Sequence, residues 1–273
     1  MKLRRKSAEI EIGNIRIGGS NPWALIAGPC AIESEEMAKQ TASVLAEVTD
    51  KLNIPFVFKG SYDKANRLSI ESKRGIGLDN GLEILANIRE EIKIPVLTDI
   101  HESIQVNEVA RYVDCLQIPA FLCRQTDLVV AAARTGKPIN IKKGQFAAPH
   151  DMIHIVQKAR IHGSQKIMLT ERGTTFGYRD LMVDMRNIPI MAEFGYPVIL
   201  DISHSQQNPG ASGGKTGGSR DFIPHMALCG LALEIDAIYM EVHPDPDNAI
   251  SDRKTQWPLS EIEAFLSFLK QKA

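Results

Sequence analysis

The sequence has no excess of charge of either sign. Its 273 residues carry 32 basic and 33 acidic side chains. The one basic cluster, Lys2-Leu3-Arg4-Arg5-Lys6, is short and reads as a solvated tail. Nucleic acid and anionic membrane surfaces are therefore poor candidates for a principal partner. No apolar run is long enough to span a bilayer, and the start of the chain has no apolar segment of the signal-peptide kind. Cysteine is scarce: Cys30, Cys115, Cys123 and Cys229 are scattered and show no disulfide spacing. Together these absences predict a cytoplasmic protein with reduced thiols. Also missing are a Walker A motif, a nicotinamide-binding fingerprint and a nucleophile elbow, so nucleotide, hydride and serine-hydrolase chemistry lack support.

What is present is a strand–helix rhythm. Residues 8–19 alternate apolar and polar on both sides of Gly13-Asn14, which predicts a β-hairpin that plugs one end of the domain. From residue 24, short apolar runs recur: Ala24–Ala27, Phe56–Phe58, Pro95–Thr98, Cys115–Ile118, Pro138–Ile141, Lys166–Leu169, Pro197–Leu200 and Ala237–Met240. Helical periodicity separates most of them, opening with a Ser34 cap and closing with Leu259–Lys270. Eight strands at nearly even spacing exceed the usual open doubly wound sheet. The pattern predicts an α/β protein in which residues 1–273 form a single closed (β/α)8 TIM barrel domain, capped by the N-terminal hairpin.

Nearly every run ends in ionisable residues, and in such a barrel these gather on one face. Phe56-Val57-Phe58 stops at Lys59, and Lys64, Asn66 and Arg67 follow. Arg124 lies beyond strand 4, Lys142 ends strand 5 and Arg172 follows strand 6. This ring predicts a site for two anionic groups or more. A lysine facing the barrel interior, Lys142 or Lys59, would also suit a Schiff-base aldolase.

Strands 7, 8 and 1 are neighbours in a closed barrel, so His204, Glu241 and Cys30 should meet, with Asp252 near enough to join them. One thiolate, one imidazole and two carboxylates suit a divalent transition metal such as Zn, Fe or Mn. They suit the all-oxygen preference of Mg or Ca less well. That metal set points away from Schiff-base chemistry. Cys115, Cys123 and Cys229 are read as small buried hydrophobes. Ser203–Arg220, with five glycines, suits a lid over substrate, and Val242–Trp257 forms a second long loop.

These residues fall in stretches that resemble a known family. They are Ile26-Ala27-Gly28-Pro29-Cys30-Ala31-Ile32-Glu33-Ser34, Phe58-Lys59, Asp63-Lys64-Ala65-Asn66-Arg67 and Gln117-Ile118-Pro119-Ala120-Phe121-Leu122-Cys123-Arg124-Gln125-Thr126-Asp127. Lys142-Lys143-Gly144-Gln145-Phe146, Thr170-Glu171-Arg172-Gly173, His204-Ser205 and Glu241-Val242-His243-Pro244-Asp245-Pro246 complete them. Over nearly its whole length the chain resembles the 3-deoxy-D-manno-octulosonate 8-phosphate synthases, which belong with the 3-deoxy-D-arabino-heptulosonate 7-phosphate synthases. The Lys-Ala-Asn-Arg run is of the octulosonate type. Cys30, where the metal-independent branch has asparagine, and Ser251-Asp252 are of the metal-dependent type.

The resemblance implies a transferase that condenses phosphoenolpyruvate with arabinose 5-phosphate and water, a step towards the inner-core sugar of lipopolysaccharide. It implies that Lys59, Lys64, Lys142 and Arg172 bind phosphoenolpyruvate, and that Asn66 and Arg67 hold the sugar phosphate. Arg124 would reach the site of a neighbouring subunit in a homotetramer. Lys64, His204 and Cys30 would be catalytic, Cys30, His204, Glu241 and Asp252 would hold the metal, and no organic cofactor is implied. Leu68 stands where many relatives have serine, which implies weaker binding of the sugar phosphate. The competing expectations are a heptulosonate synthase using erythrose 4-phosphate, and an inactive anion-binding barrel.

Overall fold

The chain opens with the expected hairpin, β1 (Glu9–Ile12) paired antiparallel with β2 (Ile15–Gly18). The computed structural model describes residues 7–67, 69–178, 180–212 and 215–272. The basic cluster at 2–6, Leu68, and Gly213 and Gly214 of the expected lid lie outside the described residues.

The barrel strands then alternate with helices. β3 (Ala24–Gly28) leads to α1 (Glu35–Lys51), whose first turn is capped by Ser34 accepting the Met37 N–H at 3.1 Å. β4 (Phe56–Lys59), α2 (Leu78–Ile92), β5 (Val96–Asp99), α3 (Val106–Tyr112) and β6 (Cys115–Ile118) follow. Next come α4 (Thr126–Arg134), β7 (Ile139–Lys142), α5 (Met152–Ile161) and β8 (Ile167–Glu171). A small antiparallel pair, β9 (Thr174–Phe176) and β10 (Asp180–Met182), precedes α6 (Asn187–Ala192) and β11 (Val198–Asp201). A second hairpin, β12 (Gln207–Ser212) and β13 (Lys215–Gly218), leads into α7 (Ile223–Ala232) and β14 (Ala237–His243). The short β15 (Trp257–Pro258) and α8 (Ile262–Lys272) end the chain. Strands β3 to β8, then β11 and β14, pair in parallel, and β14 closes back onto β3. This is the eight-stranded (β/α)8 barrel that the spacing predicts.

The period-two alternation of each strand sorts side chains into two cores. Outward residues such as Leu25, Phe58, Leu116, Ile141, Leu200 and Met240 bury against the helices. Inward residues Ile26, Val57, Leu97, Cys115, Met168, Ile199 and Tyr239 fill the barrel, joined by Ile10, Ile12 and Ile17 of the hairpin. The hairpin closes the N-terminal ends of the strands. Ser7 Oγ donates to Asp236 just before β14 at 2.9 Å, and the Ala8 N–H donates to Gly195 O at 2.8 Å.

Two residues further along each strand, the inward position turns polar: Lys59, Asp99, Gln117, Thr170, Asp201 and Glu241, all buried. The barrel is thus apolar at its N-terminal end and ionised at its C-terminal end. Gly28 makes the same step on β3, with a φ of +157°. A Cβ there would lie 2.0 Å from the Lys59 carbonyl oxygen, so only glycine lets the turn that carries Cys30 lie against β4.

Four features depart from the sequence reading. α6 was not anticipated, because it is six residues long and contains Pro189, too short for periodicity. The loop expected as a lid contains a hairpin, β12–β13. β14 runs on through Glu241 to His243. Cys229 is exposed, not buried as expected. α7 buries Ile223, Ala227 and Gly230 along one stripe, and Cys229 falls outside it.

Candidate active site

At the C-terminal end of the barrel, Cys30, His204, Glu241 and Asp252 offer ligand atoms that all lie within 4.8 Å of one another. The elements responsible are the turn after β3, the segment after β11, β14 itself and the loop before β15. Asp201, the last residue of β11, orients His204: it accepts the His204 backbone N–H at 2.8 Å and meets Nδ1 at 2.8 Å. A carboxylate only accepts, so Nδ1 carries the proton. Nε2 is thereby turned towards Glu241 Oε1 at 3.3 Å, the ring atom placed to act as a ligand. Asp252 sits at φ +49°, in the left-handed region. Its Oδ2 accepts from Cys30 Sγ at 3.0 Å and its Oδ1 from Gln207 Nε2 at 2.7 Å. Burial, then the charges of Asp252 and Glu241, push the Cys30 thiol well up. The thiol therefore keeps its proton until a cation replaces it.

Glu241 is the observation that decides what the quartet fits. It is fully buried, and neither carboxylate oxygen has a hydrogen-bond partner among the described residues. Lys59 Nζ is 3.5 Å from Oε1, an ion-pair distance without a hydrogen bond. A buried carboxylate without a hydrogen bond is costly, and a metal ion held by the quartet would remove that cost. The soft thiolate and the imidazole select a transition metal over an alkaline-earth ion.

Beside the quartet stand four cations. Lys59 donates to the Cys30 carbonyl at 3.0 Å and faces Asp99 at 3.8 Å. Lys142 is ion-paired with Asp201, and its Nζ lies 3.3 Å from the centroid of the Tyr239 ring, a cation–π contact. Burial lowers the pKa of Lys142, and Asp201 opposes that shift. Arg172 is buried, donating through Nη2 to Gln207 Oε1 at 2.6 Å, while its Nη1 has no partner among the described residues. An unpartnered buried guanidinium nitrogen asks for an anion. Lys64 donates to Ser61 Oγ at 3.0 Å. Burial works against its charge, but the carboxylates of Glu241, Asp99 and Asp252 outweigh burial and hold Lys64 protonated.

The remaining expected residues are placed differently. Arg67 is half-buried and bound into the protein: Nη1 donates to Ser251 Oγ at 2.8 Å and Nη2 to Ile250 O at 3.1 Å. It thereby ties the segment after β4 to the loop carrying Asp252. Asn66 is exposed. Arg124 is also exposed, and its guanidinium makes no hydrogen bond or ion pair among the described residues.

Several residues to which the sequence reading gave no role complete the site. Asp201 sets the tautomer of His204. Tyr239 forms a floor under Lys142. Gln207 links Arg172 to Asp252, and Gln256 accepts the Cys30 N–H at 3.1 Å while donating to Ser251 O at 2.8 Å. Ionisable ends of the strands could be read from sequence, but neither a glutamine nor a tyrosine within an apolar run announces a contact.

Comparison with known proteins places this geometry among relatives. The model of the DAHP synthetase I family matches residues 3–273. A protein of Francisella tularensis subsp. holarctica named 2-dehydro-3-deoxyphosphooctonate aldolase is 51% identical over 262 residues, 96% of this chain and 95% of its own. Proteins of the same name from a Cyanothece species and from Geobacter metallireducens are 52% identical over 256 residues and 50% over 262. The alignments cover 94% of both chains in the first case and 96% in the second.

Glu241→Gln tests the reading of the orphaned carboxylate. It should lower affinity for Zn²⁺ by at least about a hundredfold, measured by competition with a chromophoric chelator. The melting temperature of the metal-free protein should not fall. A marked loss of metal-free stability with unchanged Zn²⁺ affinity would make Glu241 a structural ion-pair partner of Lys59.

Proposed function

We propose a function from one premise: the chain belongs to the DAHP synthetase I family. It is a condensing enzyme of the 2-dehydro-3-deoxyphosphooctonate aldolase type. It joins phosphoenolpyruvate to D-arabinose 5-phosphate with water, releasing 3-deoxy-D-manno-octulosonate 8-phosphate and inorganic phosphate. This reading is favoured over the heptulosonate synthase and the inactive barrel because relatives covering 94% to 96% of the chain carry the name 2-dehydro-3-deoxyphosphooctonate aldolase. The observation that carries it at the site is a ligand quartet lying beside buried cations with a guanidinium nitrogen left open.

In this reading Lys59, Lys142 and Arg172 neutralise the carboxylate and phosphate of phosphoenolpyruvate, the open Nη1 of Arg172 being the ready donor. Arg67 and Asn66 hold the sugar phosphate near the Asp252 loop. C3 of phosphoenolpyruvate bonds to the aldehyde carbon, water adds its oxygen to C2, and the C2–O bond to phosphate then breaks. Lys64, kept protonated, supplies a hydrogen bond to the aldehyde oxygen as charge develops on it. Cys30, His204, Glu241 and Asp252 would hold a divalent Zn, Fe or Mn ion. Such an ion supplies Lewis acidity towards the aldehyde or the water.

Charge balance supports the metal. Asp99, Asp201, Glu241 and Asp252 face Lys59, Lys64, Lys142 and Arg172, so the centre is close to neutral before substrates enter. Anionic substrates need added positive charge there.

We further propose a cytoplasmic homotetramer in which Arg124 reaches a neighbouring subunit's site. The exposed, unpaired guanidinium supports this, as do the exposed Phe121, Phe146 and Phe176 on the same end of the barrel. All four cysteines are free, as suits a reducing compartment. No helix among the described residues is long and apolar enough to cross a membrane.

Phosphoenolpyruvate consumption, followed with arabinose 5-phosphate and with erythrose 4-phosphate before and after a strong chelator, tests the main reading. Turnover should require the five-carbon sugar, vanish on chelation and return with added metal. Preference for erythrose 4-phosphate, or no turnover with either sugar, would overturn the assignment. Arg124→Ala should raise KM for the sugar phosphate about tenfold or more, as loss of a charge-assisted hydrogen bond would. An unchanged KM would remove Arg124 from the site.

A further inference from the structure

A hydrogen-bonded line of side chains crosses the inside of the barrel just beneath the cations. It begins on β8, where Thr170 Oγ1 donates to Asn140 Oδ1 on β7 at 2.6 Å. Asn140 Nδ2 donates to Gln117 Oε1 on β6 at 2.9 Å, and Gln117 Nε2 donates to Asp99 Oδ1 on β5 at 2.6 Å. The other oxygen of Asp99 accepts the Ser61 hydroxyl and faces Lys59 Nζ at 3.8 Å, while Ser61 Oγ also accepts from Lys64. Thr170 and Asn140 are completely buried, and Gln117 is 1% exposed. The strand register puts Asp99 beside Gln117 and Gln117 beside Asn140, so successive strands deliver the line without distortion.

The line has a single polarity. Burial alone would raise the pKa of Asp99, but Lys59 and Lys64 outweigh it and hold the carboxyl well below the usual range. Ionised Asp99 only accepts, so Gln117 must turn its amide nitrogen to it and its oxygen to Asn140. Asn140 must then give its nitrogen to Gln117 and present its oxygen to Thr170, whose hydroxyl must donate. Neither amide can flip without placing two like atoms in contact in a dry interior. Lys59 thereby faces a carboxylate whose orientation is set three strands away.

We propose that Asn140 and Thr170 are positioning residues for phosphoenolpyruvate, acting through Gln117 and Asp99 on Lys59. The substrate part rests on the function proposed above. The line itself does not, and the two are tested separately. Thr170→Val keeps the shape and removes the hydroxyl, while Asn140→Asp keeps the shape and replaces the donor to Gln117.

Two measurements decide the matter. In protein labelled with ¹⁵N on glutamine and asparagine side chains, the Gln117 amide should shift in Thr170→Val and return in Thr170→Ser, though Thr170 does not touch Gln117. An unmoved Gln117 signal would overturn the line whether or not the enzyme turns over. In kinetics, each breaking variant should raise KM for phosphoenolpyruvate about tenfold, the order expected from one lost buried hydrogen bond. KM for arabinose 5-phosphate and bound metal should stay unchanged, and Thr170→Ser should restore KM. The Thr170→Val/Asn140→Asp pair should be no worse than the stronger single variant within about twofold, since one break already frees the line. Equal losses for both substrates, or additive losses, would reduce the two residues to general packing. Absence of wild-type turnover, with the Gln117 shift present, would defeat the function and leave the line standing.

Discussion

A carboxylate buried in the barrel with neither oxygen hydrogen-bonded is the constraint on which the rest of the site depends. Glu241 lies at the inward position of β14 two residues beyond Tyr239, where alternation leaves it no choice but the interior. Its nearest cation, Lys59, is committed to the Cys30 carbonyl and shared with Asp99. Lys59 balances the charge of Glu241 at 3.5 Å without a hydrogen bond, so the cost that remains is that of two buried oxygens taken from water with no donor in exchange. The neighbours of Glu241 show what relieves that cost. Asp201 turns the free nitrogen of His204 towards it, and Cys30 and Asp252 complete a set of ligands that a transition metal satisfies.

The same layer structure accounts for the cations. The lower barrel is dry and apolar, closed by the isoleucines of the hairpin, and every side chain in the layer above must find its partner inside that layer. Lys142 does so with Asp201 and the Tyr239 ring, and Lys59 and Lys64 with Asp99 and Ser61. Arg172 is the exception, with one nitrogen open. The site therefore carries two unmet demands of opposite sign: a carboxylate that asks for a metal and a guanidinium that asks for an anion. Glutamines join the two halves. Gln207 links Arg172 to Asp252, so the cationic side and the ligand quartet are mechanically one unit.

Much of this was legible in the sequence, for a physical reason. Period-two strands that end in ionisable residues, in a barrel whose closure makes the last strands neighbours of the first, bring Cys30, His204 and Glu241 together whatever their separation along the chain. Lys59, Lys142 and Arg172 were legible in the same way. The limits are equally physical. Asn140 and Gln117 stand within runs that read simply as buried strands, and nothing in a single sequence reveals that their amides align across strands. Tyr239 sits in an apolar run and looks like core. α7 is apolar on most of its circumference, so the sequence does not say which side carries Cys229. Arg67 was legible as a cation, but its anchoring to Ser251 and Ile250 depends on two loops meeting, which residue type does not encode.

The most direct test of the central claim is the absorption spectrum of the chelated protein titrated with Co²⁺. Binding by Cys30, His204, Glu241 and Asp252 predicts a thiolate-to-cobalt charge-transfer band in the near ultraviolet that saturates at one ion per chain and is absent from Cys30→Ala. Saturation without that band, or a band that survives in Cys30→Ala, would contradict a metal centre built on this quartet.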